Sequence, residues 1–267
     1  MKVFAKFLTS IVIVLLMSIQ IHAVKLDNNI NTVIELGKQI SNLESMVSNY
    51  IAIGTKIKFK DPIDRLNKNI KEYESILKLL SKKYANDSTI QKSIKSSQKI
   101  WKKTKEKLLI AQMESDKKIM RKEVLFIHKN THNLELEMKK MKKYILKSIK
   151  SINSLELNAA IDISISAHGL VEQYMMKMWK FNDPTIIKYW DSSVTQYKKS
   201  IAILQKSPHY KNPEFKEWLD KTEKILEYAI MSFSMIEENP IPSMIYNKCE
   251  TADKLANEMA LKIIATK

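Results

Sequence analysis

Apolar residues recur every three or four positions along most of this chain, the spacing that places them on one face of an α-helix. The first such stripe begins near Leu26 and runs through Ile40 and Tyr50 to Gly54. Only three glycines and six prolines interrupt 267 residues, and Lys, Ile, Leu, Glu and Met outnumber the strand formers Val and Thr. The pattern therefore predicts an all-α fold built from long helices.

Short polar segments divide the apolar stripes into separate helices. Asp61 and Pro62 open the second helix, with Asp as the N-cap and Pro at the first helical position. The cap signal at residues 86–88 opens a third helix, and the polar stretch at 114–118 precedes a fourth. The first half of the chain is thus predicted to form four helices.

The second half of the chain repeats the order of the first. The segment 34–54 returns in degenerate form as 160–179, and Asp183-Pro184 repeats Asp61-Pro62 as a helix start. Tyr73 and Tyr197 lie 124 positions apart, and Ile127 and Ile245, in the last helix of each half, lie 118 apart. A period of about 120 residues is too long for a solenoid repeat and indicates a duplicated domain. The sequence therefore predicts two tandem units of four helices each.

Three segments follow from this pattern: a signal peptide at residues 1–23, a first helical-bundle unit at 24–152 and a second at 153–267. No Gly or Pro occurs between Pro62 and Gly169, so the fourth helix is expected to continue into the second unit as one long shared helix. The expected shape is elongated, with the two four-helix bundles packed end to end; side-by-side packing is the alternative that the sequence leaves open.

The N-terminal segment has the order of a secretory signal. Lys2 and Lys6 form its basic region, an apolar run covers 7–17, and Ala23 ends the segment. The run is shorter than the roughly 20 residues of a transmembrane helix. Export to the periplasm is the prediction. Ile21, at the third position before the cleavage site, leaves an uncleaved anchor in the inner membrane as the alternative.

The chain carries a formal charge of +16, nearly all of it from lysine. Such a balance can indicate nucleic acid, an anionic membrane or an anionic ligand. Here the lysines are spread over the whole chain, as on a solvated surface, and the export signal argues against a nucleic-acid partner. The single cysteine, Cys249, rules out an internal disulfide and cysteine zinc clusters, and it is expected to be a buried apolar residue.

No catalytic pattern is present in the sequence. It contains no Glu-x-x-His, His-Glu-x-x-His, Gly-x-Ser-x-Gly or phosphate-loop motif, so neither an enzyme nor a cofactor is expected. His128 and His132 have the i, i+4 spacing of metal ligands, with Glu135 nearby. Because no ligand from a second helix is identifiable, no metal site is predicted.

Lys38 and Gln39 are polar residues on a helix otherwise composed for burial, and they flank Gly37. A cation and an amide donor beside a position without a side chain could hold a small oxyanion between two helices. The alternative is that Lys38 points to solvent beside the stripe.

The first stripe matches a family motif in the spacing of its small, polar and aromatic positions. Those positions are Gly37, Lys38, Gln39, Met46, Val47, Tyr50, Ile53 and Gly54. They resemble the opening motif of the N-terminal sensing domain of type IV pilus methyl-accepting chemotaxis transducers (PilJ-type), which is related to the nitrate/nitrite sensor modules of the NarX type. The resemblance covers residues 26–267 in two copies, and Tyr174 stands at the aligned position of the second copy.

This resemblance implies an extracytoplasmic, all-helical and non-enzymatic sensing module, often a homodimer, in chemotaxis or signal transduction. It implies a small anionic or polar ligand near Gly37, Lys38, Gln39, Tyr50 and Tyr174. No cofactor, metal or nucleic acid is expected. The chain shows no signalling segment of its own, so a membrane receptor or transducer is the expected partner.

The arginines that hold the anion in the nitrate sensors are replaced here by Lys38, Ile40 and Ser45. Nitrate is therefore not the expected ligand. The alternative function is that of a structural or adaptor protein, in which the motif serves core packing alone. A polar cavity near Lys38 and Gln39 would distinguish a sensing module from an adaptor.

Overall fold

The computed structural model describes residues 29–57, 60–113, 117–149 and 154–265. Over these ranges the chain forms eight α-helices and no strand, which confirms the all-α prediction. The helices are α1 (Asn29–Thr55), α2 (Pro62–Lys83), α3 (Ser88–Leu108), α4 (Lys117–Leu146), α5 (Ser154–Met178), α6 (Pro184–Gln205), α7 (Pro213–Ser234) and α8 (Pro242–Ala265). Short 3₁₀ segments, Leu109–Met113 and Pro208–Lys211, follow α3 and precede α7.

Side-chain caps fix the starts of several helices. The carboxylate of Asp61 accepts hydrogen bonds from two backbone N–H groups of the first turn of α2, and Pro62 occupies the first helical position. Asp87 caps α3 in the same way, and Asp183 caps α6 ahead of Pro184. These caps confirm the predicted starts, because each satisfies N–H groups that the helix itself leaves without a partner.

The first helix of each half, α1 and α5, is buried on nearly all sides. In α1 the stripe residues Ile40 and Tyr50 are buried, and so are Glu44 and Ser48, which lie off the stripe. In α5 the burial is equally complete around the helix. A helix buried all round must have neighbours on every face. Both helices therefore lie at the centre of the molecule.

The other helices surround this central pair in two sets. In the first half, α1 packs on α2 and α4, and α3 packs on α4 and α2; in the second, α5 packs on α6 and α8, and α7 packs on α8 and α6. The sets meet where α1 packs along α5. This pattern fits the interpretation of two tandem four-helix units.

The contact between α1 and α5 joins positions that the sequence repeat makes equivalent to within one residue. Gly37 packs directly against Ile161, which is 124 positions later, and a Cβ at Gly54 would lie 2.6 Å from the ring of Trp179. Between them, the hydroxyls of Ser41 and Ser164 lie 3.1 Å apart. Because the contacts advance in the same order on both helices, α1 and α5 run parallel. The predicted end-to-end arrangement is therefore wrong: the halves lie side by side.

The predicted long shared helix is also wrong. Helix α4 ends at Leu146, where backbone N–H groups of Ser148 and Ile149 bond three residues back in a turn, and α5 begins only at Ser154. A lack of Gly and Pro permits a continuous helix but does not require one. Burying the second face of α1 against α5 requires the chain to turn back. The predicted unit boundary at 152/153 falls outside the described residues.

Both central helices end in the same conformation. Lys56 and Lys180, 124 positions apart, have left-handed φ angles of 56° and 59°. The N–H of the next residue then bonds to the carbonyl five residues back, in Ile57 to Ala52 and in Phe181 to Met176. This is the closing pattern of a Schellman-type helix end. The matching ends fit the predicted duplication.

The predicted signal peptide at residues 1–23 lies outside the described residues. Within the described ranges, no helix combines the length with the apolar character that a bilayer-crossing segment requires.

Candidate functional site

Three residues of the predicted motif occupy different environments. Gly37 provides the close approach of α1 to Ile161, so its missing side chain serves helix packing. Lys38 is exposed to solvent. Gln39 is buried, and its side-chain oxygen accepts a hydrogen bond from Asn42 at 3.2 Å. Lys38 and Gln39 therefore point to different sides of α1.

The two predicted tyrosines are both fully buried. The hydroxyl of Tyr174 accepts a hydrogen bond of 2.8 Å from the backbone N–H of Ile241, while the hydroxyl of Tyr50 has no hydrogen-bond partner among the described residues. Burial raises the pKa of both phenols. The two cavities described next are lined by other residues. Ligand binding at the five motif positions stays a prediction.

A cluster of polar side chains lies where α4 comes opposite α6, across α1 and α5. We call it the α4–α6 seam. Its residues are Glu44, His128, His132, Glu135, Lys139, Lys142, Lys143, Asn158, Asp162, Glu172, Gln173, Tyr189, Ser192, Ser193 and Gln196. The seam draws side chains from both halves of the chain.

The α4–α6 seam contains a small inner cavity and a wider outer groove. The inner cavity has a volume of about 50 Å³ and the outer groove about 400 Å³. Glu44, Lys139, Ser192 and Ser193 line both spaces, so the two are adjoining parts of one site. The groove has the size of pockets that hold small molecules.

An ion pair between α4 and α5 forms one wall of the inner cavity. Nδ1 of His128 lies 2.5 Å from Oε1 of Glu172, and both side chains are almost completely buried. The ring of Tyr189 from α6 covers the opposite side, with its centroid 4.1 Å from the ring of His132 and 5.4 Å from that of His128. These aromatic contacts connect α4 to α6.

Glu135 lies beside this wall and has two basic partners. Its Oε2 is 3.3 Å from Nζ of Lys139 and 3.5 Å from Nδ1 of His132. Burial alone would raise the pKa of Glu135, but the hydrogen bond with His132 and the charge of Lys139 together lower it. Glu135 is therefore a paired carboxylate.

The carboxylate of Glu44 is compensated only in part, by the charge of Lys139 and a backbone hydrogen bond with Gly169. Burial raises its pKa well above the ordinary value of a glutamate, and the charges of Glu135 and Glu172 raise it further against the opposing charge of Lys139. Its Oε2 is buried and has no hydrogen-bond partner among the described residues. Glu44 thus presents an unused acceptor to the inner cavity.

Two further buried atoms at the inner cavity are unpartnered within the described ranges. They are Oε1 of Gln173, whose residue is 3% exposed, and Nε2 of His128. Burial would lower the pKa of His128, but the charge and hydrogen bond of Glu172 raise it overall. For Glu172, in contrast, burial raises the pKa, and the charge of His128 offsets only part of that rise.

The outer groove has a basic rim above a hydrogen-bonded carboxylate. Asp162 lies 2.6 Å from Nζ of Lys142 and accepts hydrogen bonds from Asn158 at 2.8 Å and Gln196 at 2.9 Å. Burial lowers the pKa of Lys142 despite that pairing. Lys143 is exposed and forms no ion pair with any residue that the structure describes.

Gly169 leaves the space that the buried carboxylate occupies. A Cβ at this position would lie 3.1 Å from Oε1 of Glu44 and 2.7 Å from Oγ of Ser193. Contacts under 3.0 Å are not tolerated without movement, so Gly169 gives room to the polar atoms of the seam rather than to a backbone turn.

The histidine spacing noted in the sequence does not assemble a metal site in the described residues. His132 pairs with Glu135 on its own helix, while His128 pairs with Glu172 on α5. Across the described ranges, no group of three or more His, Cys, Asp or Glu side chains is placed to hold a metal ion. The chemistry available at the seam is hydrogen bonding and charge.

A second seam lies on the opposite side of α1 and α5, where α2 meets α8. We call it the α2–α8 seam, formed by Lys60, Arg65, Ser164, His168, Tyr246, Glu250 and Asp253. Arg65 donates to Glu250 and to the hydroxyl of Tyr246, and its guanidinium lies 4.9 Å from the centre of that ring. Lys60 also pairs with Glu250.

The carboxylates of the α2–α8 seam are compensated. Burial would raise the pKa of Glu250, but hydrogen bonds and charge from Lys60 and Arg65 lower it. The pKa of Asp253 is likewise lowered by His168, 3.8 Å away, and by Ser164, against the effect of burial. This seam thus holds matched charges.

No protein-family model, curated protein or solved structure matches this chain. The resemblance to the PilJ-type sensing domain therefore stays a prediction.

Proposed function

We propose that this chain is a non-enzymatic helical binding protein that senses a small ligand held at the α4–α6 seam. The support is a buried polar cavity, at the junction of the two halves, that opens into a groove of about 400 Å³. The motif resemblance supports the sensing role.

This proposal rests on two buried hydrogen-bond acceptors that have no partner among the described residues. Leaving a buried polar atom without a partner costs about 1–3 kcal/mol, and folded proteins satisfy the great majority of such groups. Glu44 and Gln173 each leave an oxygen unsatisfied at the same cavity within the described ranges. A ligand that donates hydrogen bonds there would recover the loss. A site of this kind favours a binding function over packing alone.

The position of the seam suggests how binding would become a signal. Glu44 and Lys139 belong to the first half of the chain, while Gln173 and Tyr189 belong to the second. A ligand in this cavity would contact both halves and favour one relative position of them. We propose that a membrane receptor or transducer recognises that position, with the chain located in the periplasm.

A thermal-shift screen of the purified full-length chain tests the binding function. The panel holds nitrate, nitrite, carboxylates, amines and amino acids. A ligand at about 100 times its dissociation constant stabilises the folded state by about 2.7 kcal/mol, a measurable rise in melting temperature. A shift that disappears in Gln173→Met places the ligand at the seam. If every compound leaves the melting temperature unchanged, the binding function is rejected and the adaptor hypothesis takes its place.

A further inference from the structure

The inner cavity has more acceptors than donors. Three buried carboxylates, Glu44, Glu135 and Glu172, lie around it. Glu135 and Glu172 have basic partners, whereas Oε2 of Glu44 and Oε1 of Gln173 have none among the described residues. His128, His132 and Lys139 also line the cavity, yet these two acceptor oxygens receive no hydrogen bond from the residues that the structure describes.

The sequence repeat shows that the unpartnered carboxylate is specific to the α4–α6 seam. The positions equivalent to Glu44 and Glu135 in the second half are His168 and Asp253, which lie 124 and 118 residues later. There the pair consists of a histidine and a carboxylate, 3.8 Å apart. At the α4–α6 seam both positions are acidic. Glu135 is paired like Asp253, but the position of His168 holds Glu44, whose Oε2 has no hydrogen-bond partner among the described residues.

We propose that the inner cavity binds the protonated amino group of a small ligand, with Glu44 and Gln173 as its acceptors. This inference rests on the proposed binding function and names the class of its ligand. An ammonium group donates three hydrogen bonds, and its positive charge strengthens a hydrogen bond to the carboxylate of Glu44.

Size and charge distinguish an amine from the other candidates. A volume of about 50 Å³ accommodates an ammonium head group but not a bulky cation. An anion would offer no hydrogen-bond donor to the unpartnered oxygens of Glu44 and Gln173. A metal ion would need a ligand set that the described residues do not form.

The outer groove adds a second requirement on the ligand. Lys139 lines both spaces, and Lys142 and Lys143 line the groove beyond it. An acidic interior next to a basic rim is complementary to a molecule with an amine at one end and an anionic group beside it. Amino acids are the simplest class with this arrangement.

Matched compounds test the two requirements separately. The probes are the twenty common L-amino acids, each with its deaminated acid and its decarboxylated amine, measured by thermal shift and then by titration calorimetry on the full-length chain. We expect amino acids to bind most tightly, the amines more weakly, and the deaminated acids at least about 10-fold more weakly than the amino acids, since a charge-assisted hydrogen bond is lost. Deaminated acids that bind as tightly as their amino acids would overturn the proposal.

Two variants test whether the amino group of the ligand binds at Glu44 and Gln173. Glu44→Gln keeps the size of the side chain and removes its charge, and Gln173→Met removes the second acceptor. Each should weaken amino-acid binding by about 10- to 100-fold. The control Glu217→Gln changes the net charge equally at an exposed site and should leave affinity unchanged. Unchanged affinity in both seam variants would overturn the proposal.

The same panel separates this inference from the binding function. If anions alone bind, with their affinity sensitive to Lys142→Met, the binding function stands and the amine proposal fails. If no probe binds, both fail. Ordered water as the sole occupant of the cavity predicts this last outcome.

Discussion

At the α2–α8 seam, His168 lies 3.8 Å from Asp253, whereas at the α4–α6 seam the equivalent positions hold Glu44 and Glu135, two acids. The pKa of Asp253 is lowered, and that of Glu44 is raised by burial and by the nearby carboxylates. The pKa of Glu135, the equivalent of Asp253, is lowered as well, so the two seams differ at the position that holds Glu44 in one and His168 in the other.

A second pair of equivalent positions differs in the same sense. Arg65 of α2 donates to Glu250 of α8. The equivalent of Arg65 is Tyr189 of α6, and the equivalent of Glu250 is His132 of α4, whose rings pack at 4.1 Å. The ionic link of one seam is replaced by a ring contact in the other.

The difference shows what a duplication permits. When two halves pack side by side through parallel first helices, two similar seams arise. Ion pairs join the halves in both seams, Arg65 with Glu250 in one and Lys142 with Asp162 in the other, and in the first seam they leave no carboxylate of the described residues without a partner. The other can then retain a polar cavity whose unsatisfied groups reduce stability. We infer that the α2–α8 seam provides the mechanical junction and the α4–α6 seam provides the site.

The largest expected effect is at the junction. The side chain of Glu250 is only 12% exposed, and Arg65→Ala leaves it with Lys60 as its one remaining ion-pair partner among the described residues. Breaking a buried pair costs about 3–5 kcal/mol, and partial exposure of Arg65 reduces this to about 2–3 kcal/mol. Urea unfolding monitored by circular dichroism measures the loss. Lys68→Ala, at an exposed position of the same helix, should change the free energy of unfolding by less than about 0.5 kcal/mol.

The next effect tests the parallel contact between the halves. In Gly37→Ala the new methyl group meets the side chain of Ile161. Overpacking costs about 1–3 kcal/mol and the better helix propensity of Ala returns up to about 1, so a net loss of about 1–2 kcal/mol is expected. Lys38→Ala, one residue away and exposed, serves as the control. A stability unchanged by Gly37→Ala would contradict side-by-side packing at this point.

The smallest effect on stability is expected for a glycine beside the site. In Gly169→Ala the new methyl group meets the ends of two side chains, Ser193 and Glu44, which can move. The cost of moving them and the gain in helix propensity should nearly cancel, leaving a change of about 0.5 kcal/mol. Ligand affinity should nevertheless fall, because Glu44 is displaced. Thermal melting with and without amino acids measures both quantities.

Much of the fold could be predicted because its signals are local. The period of three to four residues identified the central stripe, and Asp61, Asp87 and Asp183 marked helix starts as N-caps. The arrangement of the halves could not be predicted in this way. It depends on what covers the second face of α1, which is a property of two distant segments.

The seam residues were missed for the same reason. Glu44, Glu172 and Gln173 lie off the apolar stripes, where a polar residue normally faces solvent. One signal was available: in a lysine-rich chain, α1 contains only Lys38 and α5 only Lys177. Helices nearly free of lysine in such a chain are buried on all sides. Acidic residues within them then become candidates for a buried site.

The direct test of the contrast between the seams applies one chemical change to both. Glu44→Gln and Glu250→Gln each replace a carboxylate by an amide of the same shape. Urea unfolding of each variant at pH 7 should show opposite signs: a gain of about 1–2 kcal/mol for Glu44→Gln and a loss of similar size for Glu250→Gln.

The pH dependence of these changes in the free energy of unfolding shows whether they arise from ionisation of Glu44 and Glu250. The pKa of Glu44 is raised in the folded state. Its ionisation therefore destabilises the fold as the pH rises above the ordinary glutamate value near 4.5. Below that pH the gain in stability of Glu44→Gln should vanish. The pKa of Glu250 is lowered, so its stabilisation is present above that value and is lost in acid. Opposite signs at pH 7 that converge in acid are the predicted result. Equal losses in both variants would contradict an uncompensated Glu44 and, with it, the distinction between the two seams.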